Sequence, residues 1–263
     1  MFQTFEVTAR PEQGPPRLVA LRDVIKSEDM DGFLVPRADA HQGEYVAPAD
    51  ERLAWLTGFT GSAGFCVVLG NVAGVFVDGR YRTQVKAQVS SDFTPVPWPE
   101  NSLASWVKDQ MPKGGKVGFD PWLHTTSQIE AAEKELEGSG IDLVPCANLV
   151  DRIWTDRPAA PKEPARIHPL EFAGESHEAK RARLAEELKD NGDQAALITL
   201  PDSICWLLNI RGADIPRNPI AQGFAVLHAT GDVDLFMTSE KLDGEVLAHL
   251  GQSVRVHAPD QLM

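Results

Sequence analysis

The chain is short of cysteine: it has three, Cys66, Cys146 and Cys205, far apart and with no C-x-x-C pair. That excludes a zinc knuckle or a redox pair legible in sequence and favours a reducing compartment. Cys66 and Cys205 sit in apolar runs, Gly64–Val68 and Ile204–Trp206, which reads as small buried hydrophobes rather than nucleophiles. It has no apolar run of about 18 residues, so no segment is predicted to span a bilayer. The start, Met1-Phe-Gln-Thr-Phe-Glu6, lacks the basic and apolar regions of a secretory signal. Cytoplasmic residence is the expectation. Positive charge is also scarce: 25 Lys and Arg face 38 Asp and Glu, a formal net charge of −13. The long-range field of such a chain repels phosphate, which argues against nucleic acid as the main partner and leaves room only for a local basic patch.

What is present is ordinary globular material. At 263 residues, 43% apolar and 24% charged, the chain has the length for about two domains, each able to bury a core. Residues 1–16, with Pro11, Gly14, Pro15 and Pro16, read as an irregular arm. Leu18, Leu21 and Ile25 then fall at helical spacing, and Phe33–Val35 reads as a short buried strand. Periodicity disappears from Pro36 to Arg52. A short apolar helix over 53–56 ends near Gly58, and Phe65–Leu69 and Val75–Val77 flank Gly70-Asn71 as a hairpin. Helices near 81–89, 103–111 and 128–136 alternate with strands near 94–96, 117–119 and 143–144, an α/β pattern. Leu149–Trp154 reads as an amphipathic stub packed on the first domain. Residues 157–169 hold four prolines in thirteen positions and read as a linker, giving domains 1–156 and 170–263.

After the linker the pattern restarts. Leu21 and Ile25 correspond to Leu184 and Leu188, and Phe33–Val35 to Ala196–Ile198. Leu53–Leu56 corresponds to Ile204–Leu207, Gly64–Val68 to Gly223–Leu227, Val75–Val77 to Leu235–Met237, and Val96 to Val256. Two copies of one fold are predicted, each a mixed sheet flanked by helices, with the second copy incomplete. The chain stops at Met263, where the first copy begins its Leu103 helix, so the counterpart of residues 104–145 is missing and a longer parent protein is expected. The copies differ in two loops: the first is longer over Pro36–Arg52, the second around Gly212–Pro219. Loops that diverge on a shared scaffold are where specialised roles tend to sit.

The seven histidines are scattered, and His177-Glu178 begins like a zinc-protease helix but has Arg181 where the second histidine must stand. No metal site in this chain is expected. Gly58–Gly64 is glycine-rich, yet it lacks the Lys-Ser/Thr of a phosphate loop and leads into a strand, so it reads as a tight connection using positive φ. Ser62 within it has no local His or Asp to make it a nucleophile. Asp39–Tyr45 gathers a carboxylate, the His41 imidazole and the Tyr45 phenol in seven residues, either as caps of an irregular loop or as a wall beside an active site. Asp78-Gly-Arg80-Tyr81 ends a strand and presents Arg80 either in a salt bridge to Asp78 or toward a carboxylate or carbonyl. Asn209-Ile-Arg211-Gly212 offers a second arginine at the root of the long second-copy loop.

With these motifs in hand, residues 17–263 resemble the N-terminal part of the Xaa-Pro aminopeptidases (the aminopeptidase P family), of the three-domain cytosolic type. The resemblance is carried by Asp39–Tyr45, Gly58–Gly64, Asp78–Tyr81, Leu149–Pro158 and Asn209–Asp214 with Asn218-Pro219. Gly43 departs from it, standing where the family often has Ser. The resemblance implies two creatinase N-terminal-type domains followed, in the whole protein, by a pita-bread catalytic domain. That domain would carry two Asp, one His and two Glu around two divalent metals, usually manganese. None of that domain is in this chain, so no catalytic residue is assigned and the chain alone is expected to be inactive. The whole protein would remove an N-terminal residue preceding proline from a peptide. Arg80 matches the arginine that reaches toward substrate across a homodimer. His41, Tyr45 and Arg211 are further candidates for substrate binding. A different reading is a non-catalytic creatinase-like module that binds a basic protein partner.

Overall fold

The computed structural model describes residues 7–263, which leaves the Met1–Glu6 segment outside the described residues. The chain divides into two compact units, 1–159 and 160–263.

In the first unit, α1 (Gly14–Ser27) leads to β1 (Gly32–Pro36), α2 (Arg52–Thr57), β2 (Phe65–Leu69), β3 (Ala73–Val77), α3 (Arg82–Gln88) and β4 (Thr94–Pro97). Then come α4 (Leu103–Gln110), β5 (Gly115–Phe119), α5 (Thr126–Leu136) and β6 (Ile141–Pro145). Helix α1 starts within the stretch read as an irregular arm. Pro15 and Pro16 occupy its first turn, where the missing N–H has no intrahelical partner to lose. The six strands run in the order β4-β3-β2-β1-β5-β6. β1, β2 and β3 pair antiparallel, while β3–β4, β1–β5 and β5–β6 are parallel. The near-continuous apolar runs of β1 to β3 follow from burial on both faces. One face carries Phe33, Val35, Cys66, Val68, Val75 and Val77 with Leu18, Leu21, Leu53 and Leu56. Leu149, Val150 and Trp154 join that core, so the stub after β6 packs on this unit. The other face packs Leu34, Val67, Phe76 and Val96 against Trp106, Val107 and Leu136 of α4 and α5.

The second unit contains β7 (Arg166–Ile167), α6 (Leu170–Ala173), α7 (His177–Asn191), β8 (Ala195–Ile198), α8 (Pro201–Leu207) and β9 (Ile210–Arg211). β10 (Phe224–His228), β11 (Val233–Phe236), α9 (Gly244–Leu250) and β12 (Val254–His257) complete it. The proline-rich stretch is not wholly free chain. Ala165 is buried and donates to the Lys241 carbonyl, and Arg166–Ile167 pairs with β9. The four-stranded sheet β12-β11-β10-β8 repeats the order and senses of β4-β3-β2-β1. The pairings Val35↔Cys66 and Ile198↔Ala225 are equivalent, as are Cys66↔Val75 and Ala225↔Leu235. One correspondence is corrected. Val96 pairs Phe76 whereas His257 pairs Phe236, so the counterpart of Val96 is His257, not Val256. The β11–β12 connection holds one residue more than β3–β4, and such a slip turns side chains to the opposite face. Among the described residues, nothing in the second unit matches α4, β5, α5 or β6. Its core lies on one sheet face, where Ala225, Leu227, Leu235 and Val254 meet α7, α8 and α9. The long loop before β10 is fixed by Asp214, fully buried, which accepts from Lys241 Nζ at 2.6 Å and from the Gln222 amide at 2.6 Å.

Candidate functional site

Strand β3 delivers Asp78 to a tight turn. Its Oδ1 accepts from the Arg80 amide at 2.9 Å, and its carbonyl accepts from Tyr81 N at 3.1 Å, the Asx geometry that short carboxylates favour. The same carboxylate takes the Arg80 side chain in a fork, Nη2 at 2.7 Å from Oδ2 and Nε at 3.2 Å from Oδ1. This contact holds the Asp78 carboxyl below its usual value and pushes the guanidinium up. The structural salt bridge is therefore present. It occupies one edge of the guanidinium only, and Nη1 has no hydrogen-bond partner among the described residues. The side chain is 62% exposed, so the charge is held in place at the surface rather than buried.

Tyr81 lies under Arg80, with Cζ 5.1 Å from the ring centroid, and packs edge-on against Phe59. Its hydroxyl meets Ser62 Oγ at 2.7 Å, a bond that lowers the phenol below its ordinary value. Ser62 thus has a partner, but one nineteen residues away, which no local motif search finds. The glycine run behaves as expected at its ends. Gly58 has φ +87°, and a Cβ there would stand 2.4 Å from the Gln88 carbonyl. Gly64 has φ +158°, with the Phe76 carbonyl 2.7 Å from the same hypothetical atom.

The long loop reaches this corner through Arg37, which belongs to no contiguous motif. Its side chain, 9% exposed, donates to the carbonyls of Glu44 and, at 3.2 Å, Ser62, and pairs with Glu51 at 3.9 Å. Asp39 caps the loop by accepting from the amides of His41 (2.9 Å) and Gly43 (3.2 Å). His41 is buried at 8% exposure, while Tyr45 is 56% exposed. Glu44 lies close enough to Arg80 to raise its basicity. The first unit therefore brings Arg80, Tyr81, Ser62, Arg37 and Glu44 into one corner. His41 sits as a held loop residue, and Tyr45 projects from the loop. Arg211 belongs to the second unit, where its Nη1 donates to the carbonyls of Cys205 (3.1 Å) and Ile210 (2.8 Å).

Among the described residues no group of three or more His, Cys, Asp or Glu side chains is placed to hold a metal ion. The donors of a paired metal centre are therefore not assembled among the described residues. Burial pushes the thiols of Cys66 and Cys205 up, away from nucleophilic use. Among the described residues no helix is long and apolar enough to cross a membrane.

A family model described as Creatinase/Prolidase N-terminal domain matches residues 17–153, and a second model of the same description matches 156–263. Relatives named "Probable Xaa-Pro aminopeptidase P" include one from Talaromyces marneffei, 41% identical over 245 residues, covering 91% of this chain and 37% of the relative. One from Aspergillus niger is 38% identical over 251 residues, covering 94% and 41%. A solved X-prolyl aminopeptidase from Caenorhabditis elegans, described as a cytosolic enzyme with a di-nuclear active site, superposes with a TM-score of 0.88. It is 34% identical, and the match covers 94% of this chain and 42% of that one. The chain thus spans about two fifths of the length of these relatives.

Proposed function

Because the chain belongs to the creatinase/prolidase N-terminal domain family, we propose that it is the accessory, non-catalytic region of a metal-dependent Xaa-Pro aminopeptidase. The whole enzyme removes an N-terminal residue that precedes proline, acts in the cytoplasm as a homodimer, and draws its two metal ions, manganese by preference, from a region outside these residues. Within this reading the first unit helps gate the substrate pocket, and Arg80 contacts the peptide. His41 and Tyr45 border the same pocket, and Arg211 in the second unit is a separate candidate for substrate binding. The observation that carries the reading is the match to the nematode X-prolyl aminopeptidase over 94% of the chain. The corner around Arg80 supports it: a guanidinium fixed on one edge and open on the other suits a peptide carbonyl or carboxylate.

Two measurements test it. The 263-residue chain, given manganese and a proline-containing peptide, should show no turnover; metal-dependent hydrolysis overturns the reading. In a polypeptide that joins these residues to the metal-bearing region, Arg80→Ala should lower kcat/KM by about ten- to a thousand-fold, as expected for losing a charge-assisted contact. Unchanged kinetics remove Arg80 from the site.

A further inference from the structure

The repeat carries the Arg80 turn twice. At the offset of 160 that relates residues 75–77 to 235–237, Asp78-Gly-Arg80-Tyr81 becomes Thr238-Ser-Glu240-Lys241. The geometry repeats as well. Tyr81 N donates to the Asp78 carbonyl, and Lys241 N to the Thr238 carbonyl, each at 3.1 Å. Asp78 takes the Arg80 side chain, and the Thr238 hydroxyl donates to the Glu240 carboxylate. The last side chain of each turn bonds back to the connection before the middle strand of its sheet. Tyr81 meets Ser62, just ahead of Gly64. Lys241 Nζ donates to Asp214 at 2.6 Å and to the carbonyl of Gln222, just ahead of Gly223, at 3.1 Å.

The two corners differ in charge and in what lies on them. In the first, Arg80 keeps one edge free. In the second, an acid stands in its place and the chain's own linker lies against it. Lys162 Nζ pairs with Glu240 at 2.6 Å, the Glu163 amide donates to Asp214 Oδ1 at 3.3 Å, and the Ala165 amide donates to the Lys241 carbonyl at 2.8 Å. Lys162 and Glu240 are exposed, but the pair beneath them is not: the Lys241 side chain is 4% exposed and that of Asp214 0%. Either charge without the other would be left bare in the interior, so the pair favours one arrangement of the long loop and of the linker amide it holds.

The other end of the linker is held too. Arg157 donates through Nε to the Ala49 carbonyl and through Nη1 to Asp151, each at 2.7 Å. Between these anchorages Pro158, Ala159 and Ala160 are exposed, and residues 158–161 make no hydrogen bond among the described residues. We propose that the second unit's copy of the Arg80 corner is a clasp: it folds residues 162–165 into that unit and reduces the proline-rich linker to a stiff joint of four residues, 158–161. Pro158 and Pro161 have fixed φ, so the joint turns chiefly at Ala159 and Ala160. The inference goes beyond the aminopeptidase reading and does not depend on it.

The test is backbone NMR of the 263-residue chain. Order parameters should fall below about 0.6 at Ala159 and Ala160 and stay near about 0.85 at Arg157, Lys162 and Glu163. The Glu163 and Ala165 amides should exchange at least about tenfold more slowly than in an unstructured chain. Replacing both buried charges, Asp214→Leu with Lys241→Met, allows the unit to fold without leaving a bare ion. In that variant the β10 and β11 amides should stay protected, while Glu163 and Ala165 lose protection and mobility spreads to Lys162 and Glu163. Lys162→Glu, which puts two acids together at the surface, should speed exchange at both amides by about two- to fivefold. Mobility running evenly from Arg157 to Ala165 in the wild-type chain overturns the proposal. So does unchanged protection of Glu163 in a folded double variant. Should the double variant not fold, Lys162→Glu decides alone, and unchanged exchange at both amides overturns the clasp.

Discussion

The Arg37 guanidinium joins three stretches of the first unit that the chain keeps apart. It donates to the carbonyl of Glu44 in the long loop and to that of Ser62 in the glycine run, and it pairs with Glu51 beside α2. Its own amide donates to the Gly64 carbonyl. Ser62 in turn holds the Tyr81 hydroxyl, so the placement of the Arg80 corner depends on a residue that never faces it. Arg37→Ala would leave two carbonyls and a carboxylate without their donor. Hydrogen bonds to a charged group contribute about 1.5–3 kcal/mol, so urea unfolding should show a loss of about 2–3 kcal/mol. Glu51 gives a second readout. Burial raises its carboxyl and Arg37 brings it partly down, so the variant should titrate Glu51 at a higher pH. Arg37→Lys should recover only part of the loss, because one ammonium cannot span both loops. A stability change within about 0.5 kcal/mol would mean the loops hold without the fork.

At the scale of elements, strands and helices were legible wherever burial imposes a period. β1, β2 and β3 read as strands because both faces are covered, and their partners β8, β10 and β11 were found by the same apolar signature. The match of Val96 to Val256 falls one residue out because Val254 and Val256 alternate as any half-buried strand does, and periodicity alone does not count the residues of the preceding loop. The site was legible only where a motif is contiguous, as in Asp78–Tyr81. Contacts made at a distance, Ser62 to Tyr81 and Arg37 to both loops, leave no local pattern. The packing of α7 on α9 is a further case. His177 is 2% exposed, its ring centroid is 4.5 Å from that of His249, and its Nε2–H donates to the His249 carbonyl at 2.9 Å. Its Nδ1 is buried with no partner among the described residues, so protonation would place a charge and an unmet donor inside the unit. Glu178 favours that proton, while burial above all, then His249 and Arg181, oppose it, and the imidazole is held below its ordinary value. A histidine depressed in the folded state contributes stability that is complete above its unfolded value of about 6.5 and is lost as pH falls through it. NMR titration should show the His177 midpoint below that value, with the second unit melting at lower temperature at pH 5 than at pH 7. An ordinary midpoint would contradict the buried geometry.

For the whole molecule the repeat has a thermodynamic consequence. The first unit covers both faces of its sheet, with separate apolar clusters on the two sides. The second unit covers one face, and Leu197 and Leu200 remain 59% and 45% exposed. At about 25 cal/mol for each Å² of apolar surface removed from water, a one-sided sheet gains less per residue than a two-sided one. The strand edges point the same way. β4 carries Pro95 and Pro97 and β6 carries Asp142 and Pro145, both deterrents to pairing, whereas edge strand β8 is Ala-Ala-Leu-Ile with neither proline nor charge. Each unit has its own core, and Ala159 and Ala160 between them are exposed. Elastase should therefore cut there first and release fragments 1–159 and 160–263. On heating, calorimetry of the 263-residue chain should resolve two transitions, with the second unit unfolding at the lower temperature. Leu197→Lys on the β8 edge should reduce association of the 160–263 fragment without lowering the first transition, because the side chain removed is already in water. A single transition, or a first unit that melts before the second, would show that coverage of the two sheet faces does not set the order of unfolding.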